Sequence, residues 1–138
     1  MTRSSTRDSG PSRSSLRQPM KVLTVRQPWA SLIVSGIKDV ENRSKATNYR
    51  GRIGIHAGQK VNADAMRTYG HLLPAQVAIG ALLGTVEIID CQRGMCSDWA
   101  LPDHWHWVLA QPRRLRRPVP MTGHLGLWNY AGSLGHRA

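Results

Sequence analysis

Apolar positions along this chain recur mainly with a period of two, in short runs divided by glycine, proline and small polar residues. Lys21–Val25 is rich in β-branched residues and predicts a strand. Arg52–Ala57 sets Ile53, Ile55 and Ala57 against Arg52, Gly54 and His56, the alternation of a half-buried strand. His104–Ala110 places Trp105, Trp107 and Leu109 on one face, which is expected to be core. Further strands are expected at Asp39–Arg43, Ala78–Asp90 and His124–Trp128, with Gly80 and Gly84 marking bulges or bends. Pro28–Ser35 predicts a helix, with Pro at its start and Gly36 just past its end. Asn62 suits the cap of a second short helix through Tyr69, with Gly70 near its end. Pro74–Val77 is expected to form one more helical turn. Many short strands, glycine bends and few helices predict an α+β, mainly β domain whose sheet closes and so hides its edges.

The first 19 residues carry one large apolar side chain, Leu16, after Met1. Such a segment cannot bury enough surface to offset its ordering entropy and is expected to be disordered. It has neither the apolar stretch of a secretory signal nor an amphipathic pattern. The composition changes abruptly at Lys21, so Met20 is an alternative translation start. The expected division is a tail over 1–19, a domain over 20–131 and a flexible tail over 132–138. No apolar run approaches the ~20 residues of a membrane helix. A cytoplasmic monomer with no membrane or lipid partner is expected.

Charge narrows the partners. The 138 residues carry 19 Lys and Arg against 8 Asp and Glu, a net charge of +11. Removing residues 1–19, with four Arg and one Asp, still leaves +8. A field of that sign favours polyanions, nucleic acid first. Fifteen of the basic residues are Arg, a usage that base composition of the genome alone can also produce. Two cysteines, Cys91 and Cys96, are too few for a disulfide scaffold and are read as free thiols. With His104 and His106 they could be drawn as a zinc set, but the two histidines alternate as in a strand and lack finger spacing. No metal and no cofactor is expected.

The densest candidate chemistry is Gly36-Ile37-Lys38-Asp39-Val40-Glu41-Asn42-Arg43, at a helix-to-strand corner. In a strand Glu41 and Arg43 share a face, and the long Lys38 side chain can reach the same space. Lys38 and Arg43 would supply positive charge, Arg43 with a bidentate fork. Glu41 would accept from an exocyclic amine. By spacing alone the same residues also describe an ordinary surface ion pair. Gln27 and Trp29 precede them on the facing corner, where Trp29 either stacks on a base or packs in the core. Arg113, Arg114, Arg116 and Arg117 form the most concentrated positive run, and Arg50 and Arg52 add to it as phosphate contacts. Alternation would send neighbouring arginines to opposite faces. His56 either lines the cleft or is a satisfied polar residue.

Taken together, Leu23-Thr24-Val25-Arg26-Gln27-Pro28-Trp29-Ala30, the Gly36-x-Lys38-x-x-Glu41-x-Arg43 element, Gly51–Ala57, Pro118-Val119-Pro120 and Gly123–Trp128 resemble the ASCH domain family, a relative of the PUA RNA-binding fold. The resemblance implies a small closed PUA-like β-barrel with flanking short helices, and a cleft lined by Lys38, Glu41 and Arg43. It implies RNA or a nucleotide-like ligand as partner. Some family members look like N4-acetylcytidine amidohydrolases that use a Thr beside the signature Lys. The matching position here is Glu41, so a hydrolase of modified nucleosides or RNA, using Lys38 and Glu41, is an alternative without direct carry-over. A protein-interaction module is the third.

Overall fold

The computed structural model describes residues 19–131. The expected tails, 1–19 and 132–138, lie outside the described residues except for Pro19. Six strands form one sheet: β1 (Met20–Gln27), β2 (Val40–Arg43), β3 (Gly51–Val61), β4 (Ala81–Gln92), β5 (Trp105–Pro120) and β6 (Leu127–Tyr130). Their order is β2-β5-β4-β3-β1-β6. The β1–β3 pair is parallel and the other neighbours are antiparallel. Among the described residues two helices accompany the sheet, α1 (Trp29–Val34) and α2 (Ala63–Tyr69), the latter running into a 3-10 turn at Gly70–Leu72.

The period of two sorts side chains onto the two faces. Leu23 and Val25, Ile53, Ile55 and Ala57, and Val86 and Ile88 face the main core, with Trp107, Leu109 and the α1 residues Ala30, Ile33 and Val34. On the other face Val22, Leu82 and Val119 form a smaller cluster under Met20, Met121, Trp128 and Tyr130. One end of α1 is fixed by Gly36, whose φ of +82° is the left-handed value that favours glycine. α2 is capped as its sequence predicts: the Asn62 side chain accepts from the Ala65 amide at 3.0 Å.

The expected closed barrel does not form, and β2 and β6 remain the edges of an open sheet. Both are only four residues long, and no ladder joins them. A side chain crosses the gap instead, since Arg43 Nη2 donates to the Thr24 carbonyl on β1 at 3.0 Å.

Other boundaries shift for local reasons. β5 does not stop near Ala110 but continues through Pro112 to Pro120, so the arginine run lies in a strand. Three register shifts along β4 and a φ of +52° at Gln111 absorb the irregularity. Gly84 sits at one of these bulges, where an added Cβ would lie 2.2 Å from the Arg113 carbonyl oxygen. β4 begins at Ala81, because Gly80 turns the chain with a φ of +63°. Pro74–Val77 forms no helical turn; four residues without a cap do not offset the cost of nucleating one. The final strand starts at Leu127, three residues after the expected His124.

Candidate functional site

The signature residues converge. Gly36 reverses the chain at the end of α1, and the Ile37 and Lys38 amides both return to the Leu32 carbonyl, at 3.0 and 3.1 Å. This turn sends Lys38 inward, where it is 5% exposed. Its Nζ donates to the Val40 carbonyl, lies 3.7 Å from Glu41 Oε1 and sits 5.5 Å from the centre of the Trp29 ring. Glu41, 7% exposed, accepts on Oε2 from Arg43 Nε at 2.9 Å. Both carboxylate oxygens therefore face a cation. Burial pulls the Lys38 pKa below the ordinary lysine value, and Glu41 opposes that shift.

A cleft of about 300 Å³ opens over this pair, lined by Trp29, Lys38, Glu41, Asn42, Asn62, Tyr69, Asp98, Trp99 and Leu101. Three aromatic rings from three elements meet there. Trp29 and Tyr69 are 5.6 Å apart between ring centres, Tyr69 and Trp99 5.2 Å, and Trp29 and Trp99 6.4 Å. The Asn62 amide donates to the Gln27 carbonyl at 2.8 Å, docking the start of α2 beside α1. Tyr69, at the far end of α2, completes its side of the cleft.

The ASCH domain model matches residues 23–118, most of the described chain. The chain belongs to the ASCH domain family. It is 33% identical over 124 residues to the human activating signal cointegrator 1, and 32% identical over the same length to the mouse protein. Each alignment covers 77% of this chain but 21% of the relative, so the chain spans about a fifth of the length of these proteins. A solved structure, a mutant ASCH protein of Zymomonas mobilis, aligns over 75% of this chain and 76% of its own at a TM-score of 0.49 and 16% identity.

Within this ASCH domain the remaining candidates are dispersed. Gln27 is fully buried; its amide donates to Ser31 Oγ and the Ala78 carbonyl and accepts from the Ser31 amide, all within 3.0 Å. It therefore holds the start of α1 and does not line the cleft. Arg50 bonds the carbonyls of Thr47 and Tyr49. Arg52 donates to Thr85 Oγ1 at 2.8 Å, and burial followed by the charge of Arg113 lowers its pKa. Arg114 instead reaches Ser35 Oγ at the end of α1. With Arg116 it borders a shallow groove against Ser31 and Val34. Arg117 is exposed on the same strand. The arginine run is thus split, as strand alternation requires.

His56 is 1% exposed, with Nδ1 3.2 Å from Thr24 Oγ1 and Nε2 2.8 Å from the Met121 carbonyl. It packs on the second face beside Trp128, outside the aromatic cleft. Cys91 and Cys96 are free, and His106 spends both ring nitrogens on backbone groups. Sequence reasoning missed Tyr69, Trp99, Asn42, Asn62 and Asp98 as cleft residues. Trp99 did carry a signal, being a large aromatic in a polar Ser97-Asp98 loop, where no periodicity assigns it to a core.

Proposed function

We propose that this ASCH domain binds single-stranded RNA, taking one unstacked base into the aromatic cleft while arginines outside it contact phosphates. The observation that carries the reading is the enclosure of the buried Lys38–Glu41 pair by Trp29, Tyr69 and Trp99. Aromatic rings bind any base through its π face, at about 1–3 kcal/mol per stacked base. Lys38 has three N–H donors and each Glu41 oxygen two lone pairs, so both keep capacity for a base edge after pairing with each other. The net charge of +11 supplies the sequence-independent attraction.

The test is anisotropy titration of fluorescein-labelled single-stranded RNA, duplex RNA and heparin over a range of salt. Single-stranded RNA is expected to bind best, and Trp99→Ala and Lys38→Ala to erase that preference. Equal affinity for all three polyanions, unaffected by these substitutions, would reject base capture.

Hydrolysis of a modified nucleoside is a second reading of the same pair, and the lowered pKa of Lys38 is the observation in its favour. Both Glu41 oxygens already face cations, Oε1 the Lys38 Nζ and Oε2 the Arg43 Nε, the arrangement of a hydrogen-bond acceptor. Acetate release from acetylcytidine, lost in Lys38→Ala, would establish this activity in place of simple binding.

A further inference from the structure

Trp99 is carried by the loop over residues 93–104, between β4 and β5, and two side chains from the sheet hold that loop by four hydrogen bonds. Asn42 donates from Nδ2 to the Trp99 carbonyl at 2.9 Å, and its Oδ1 accepts from the Leu101 amide at 2.9 Å. His106 Nδ1 accepts from the Met95 amide at 3.2 Å, and its Nε2 lies 2.7 Å from the Leu101 carbonyl. The Met95 donor requires Nδ1 to be bare, so the ring proton is on Nε2 and is given to Leu101. Asn42 and His106 face each other in the β2–β5 register, so one cross-strand pair grips both limbs of the loop. Beyond these bonds the loop touches the rest of the domain through the Trp99 ring, against Trp29 and Tyr69, and through Arg93 over the Trp105 ring, while Gly94, Cys96, Asp98, Pro102 and Asp103 are exposed.

We propose that Asn42 and His106 form a clamp that holds the 93–104 loop against the sheet, making Trp99 a fixed stacking wall and setting the cleft's preference for an unpaired base. The proposal rests on the cleft being the RNA site. Both residues act through the loop and are positioning residues. A stacking wall that is already in place spares the ligand the entropy of ordering it, which is where a clamp adds affinity. The preference for single strands follows because a paired, stacked base offers no free face to a three-ring enclosure.

The experiment uses the full chain labelled with 5-fluorotryptophan, its five resonances assigned by single Trp→Phe variants and followed by fluorine NMR. Trp107, 5% exposed in the core, is the control for intact folding. In Asn42→Ala, His106→Ala and the double variant, the Trp99 resonance is expected to move toward its solvent-exposed position while Trp107 stays. Asn42→Asp, which keeps the acceptor for Leu101 and loses the donor to Trp99, should fall between. Affinity for a fluorescein-labelled single-stranded RNA should drop about tenfold, the value of roughly one stacked base, with duplex affinity unchanged. Adding Trp99→Ala to the double variant should cost nothing more, because both changes remove the same wall. An unmoved Trp99 resonance in the double variant would overturn the clamp. A moved resonance with undiminished single-strand affinity would overturn its role in selectivity. Failure of the cleft as the RNA site has a different signature: Trp99→Ala in the otherwise native chain leaves RNA affinity unchanged.

Discussion

The Arg43 guanidinium joins the Thr24 carbonyl on β1 at 3.0 Å while its Nε holds Glu41 at 2.9 Å. One side chain thus closes the gap between the two halves of an open sheet and orients the carboxylate of the cleft. Arg43→Ala should lower stability by about 2 kcal/mol, since it leaves a buried carboxylate with one partner and a carbonyl without its donor. Arg43→Lys should not rescue it, because an ammonium lacks the fork that serves both groups. Urea denaturation checks this, and an unshifted midpoint would show that the gap needs no bridge.

Lys38 makes stability depend on pH in a defined direction. Burial lowers its folded-state pKa below the 10.5 of an ordinary lysine, so the unfolded chain holds the proton more tightly. Its unfavourable share is full below the folded pKa and fades as pH rises from there toward 10.5. Native stability should therefore gain from this group on alkalinisation within that window. Lys38→Met should remove this component when denaturation midpoints are compared across the window.

Gly84 is a packing requirement. A Cβ there would lie 2.2 Å from the Arg113 carbonyl oxygen and 3.0 Å from the Arg114 Cα, both backbone atoms that cannot swing aside. Gly84→Ala should cost about 1–3 kcal/mol by overpacking. Differential scanning calorimetry would read this as a lowered melting temperature, and a neutral substitution would mean that the β4–β5 bulge is soft.

The split of the arginine run predicts unequal salt effects. Arg114 reaches the end of α1 opposite Trp29, and six helical residues span about 9 Å. An RNA strand held in the cleft would meet Arg114 and Arg116 before Arg52 and Arg113 on the other face. Replacing Arg114 and Arg116 with Ala should flatten the plot of log affinity against log salt by about one to two units on single strands. The Arg52 and Arg113 double variant should change it less. The reverse ranking, measured by anisotropy, would place the RNA across the opposite face.

Asn62 links local capping to the site, because α2 ends in Tyr69. Asn62→Ala should cost about 1 kcal/mol through loss of the cap on Ala65. It should also weaken RNA binding more than a distant substitution of equal stability cost, measured by anisotropy alongside urea denaturation.

What the sequence by itself determined is local. Alternation assigned Ile53, Ile55 and Ala57 to the core face, Pro28 and Gly36 bounded α1, and Asn62 capped α2, because each depends on neighbours within a few residues. The signature placed Lys38, Glu41 and Arg43 near one another, since a strand puts Glu41 and Arg43 on one face. Of the other two, however, Arg43 reaches only Glu41, and it lines a separate hollow beside Lys45 and Trp107. Tertiary structure alone decided that β2 and β6 stay apart as edges and that β5 runs on past Pro112. Sheet closure and register depend on partners tens of residues away, and local alternation is the same in an open sheet as in a closed one. It likewise decided that Tyr69 and Trp99, from a helix end and an irregular loop, would stand with Trp29 around the buried lysine. Neither residue belongs to a periodic pattern with the signature, so only the packing of α2 and the anchoring of the 93–104 loop bring those rings together.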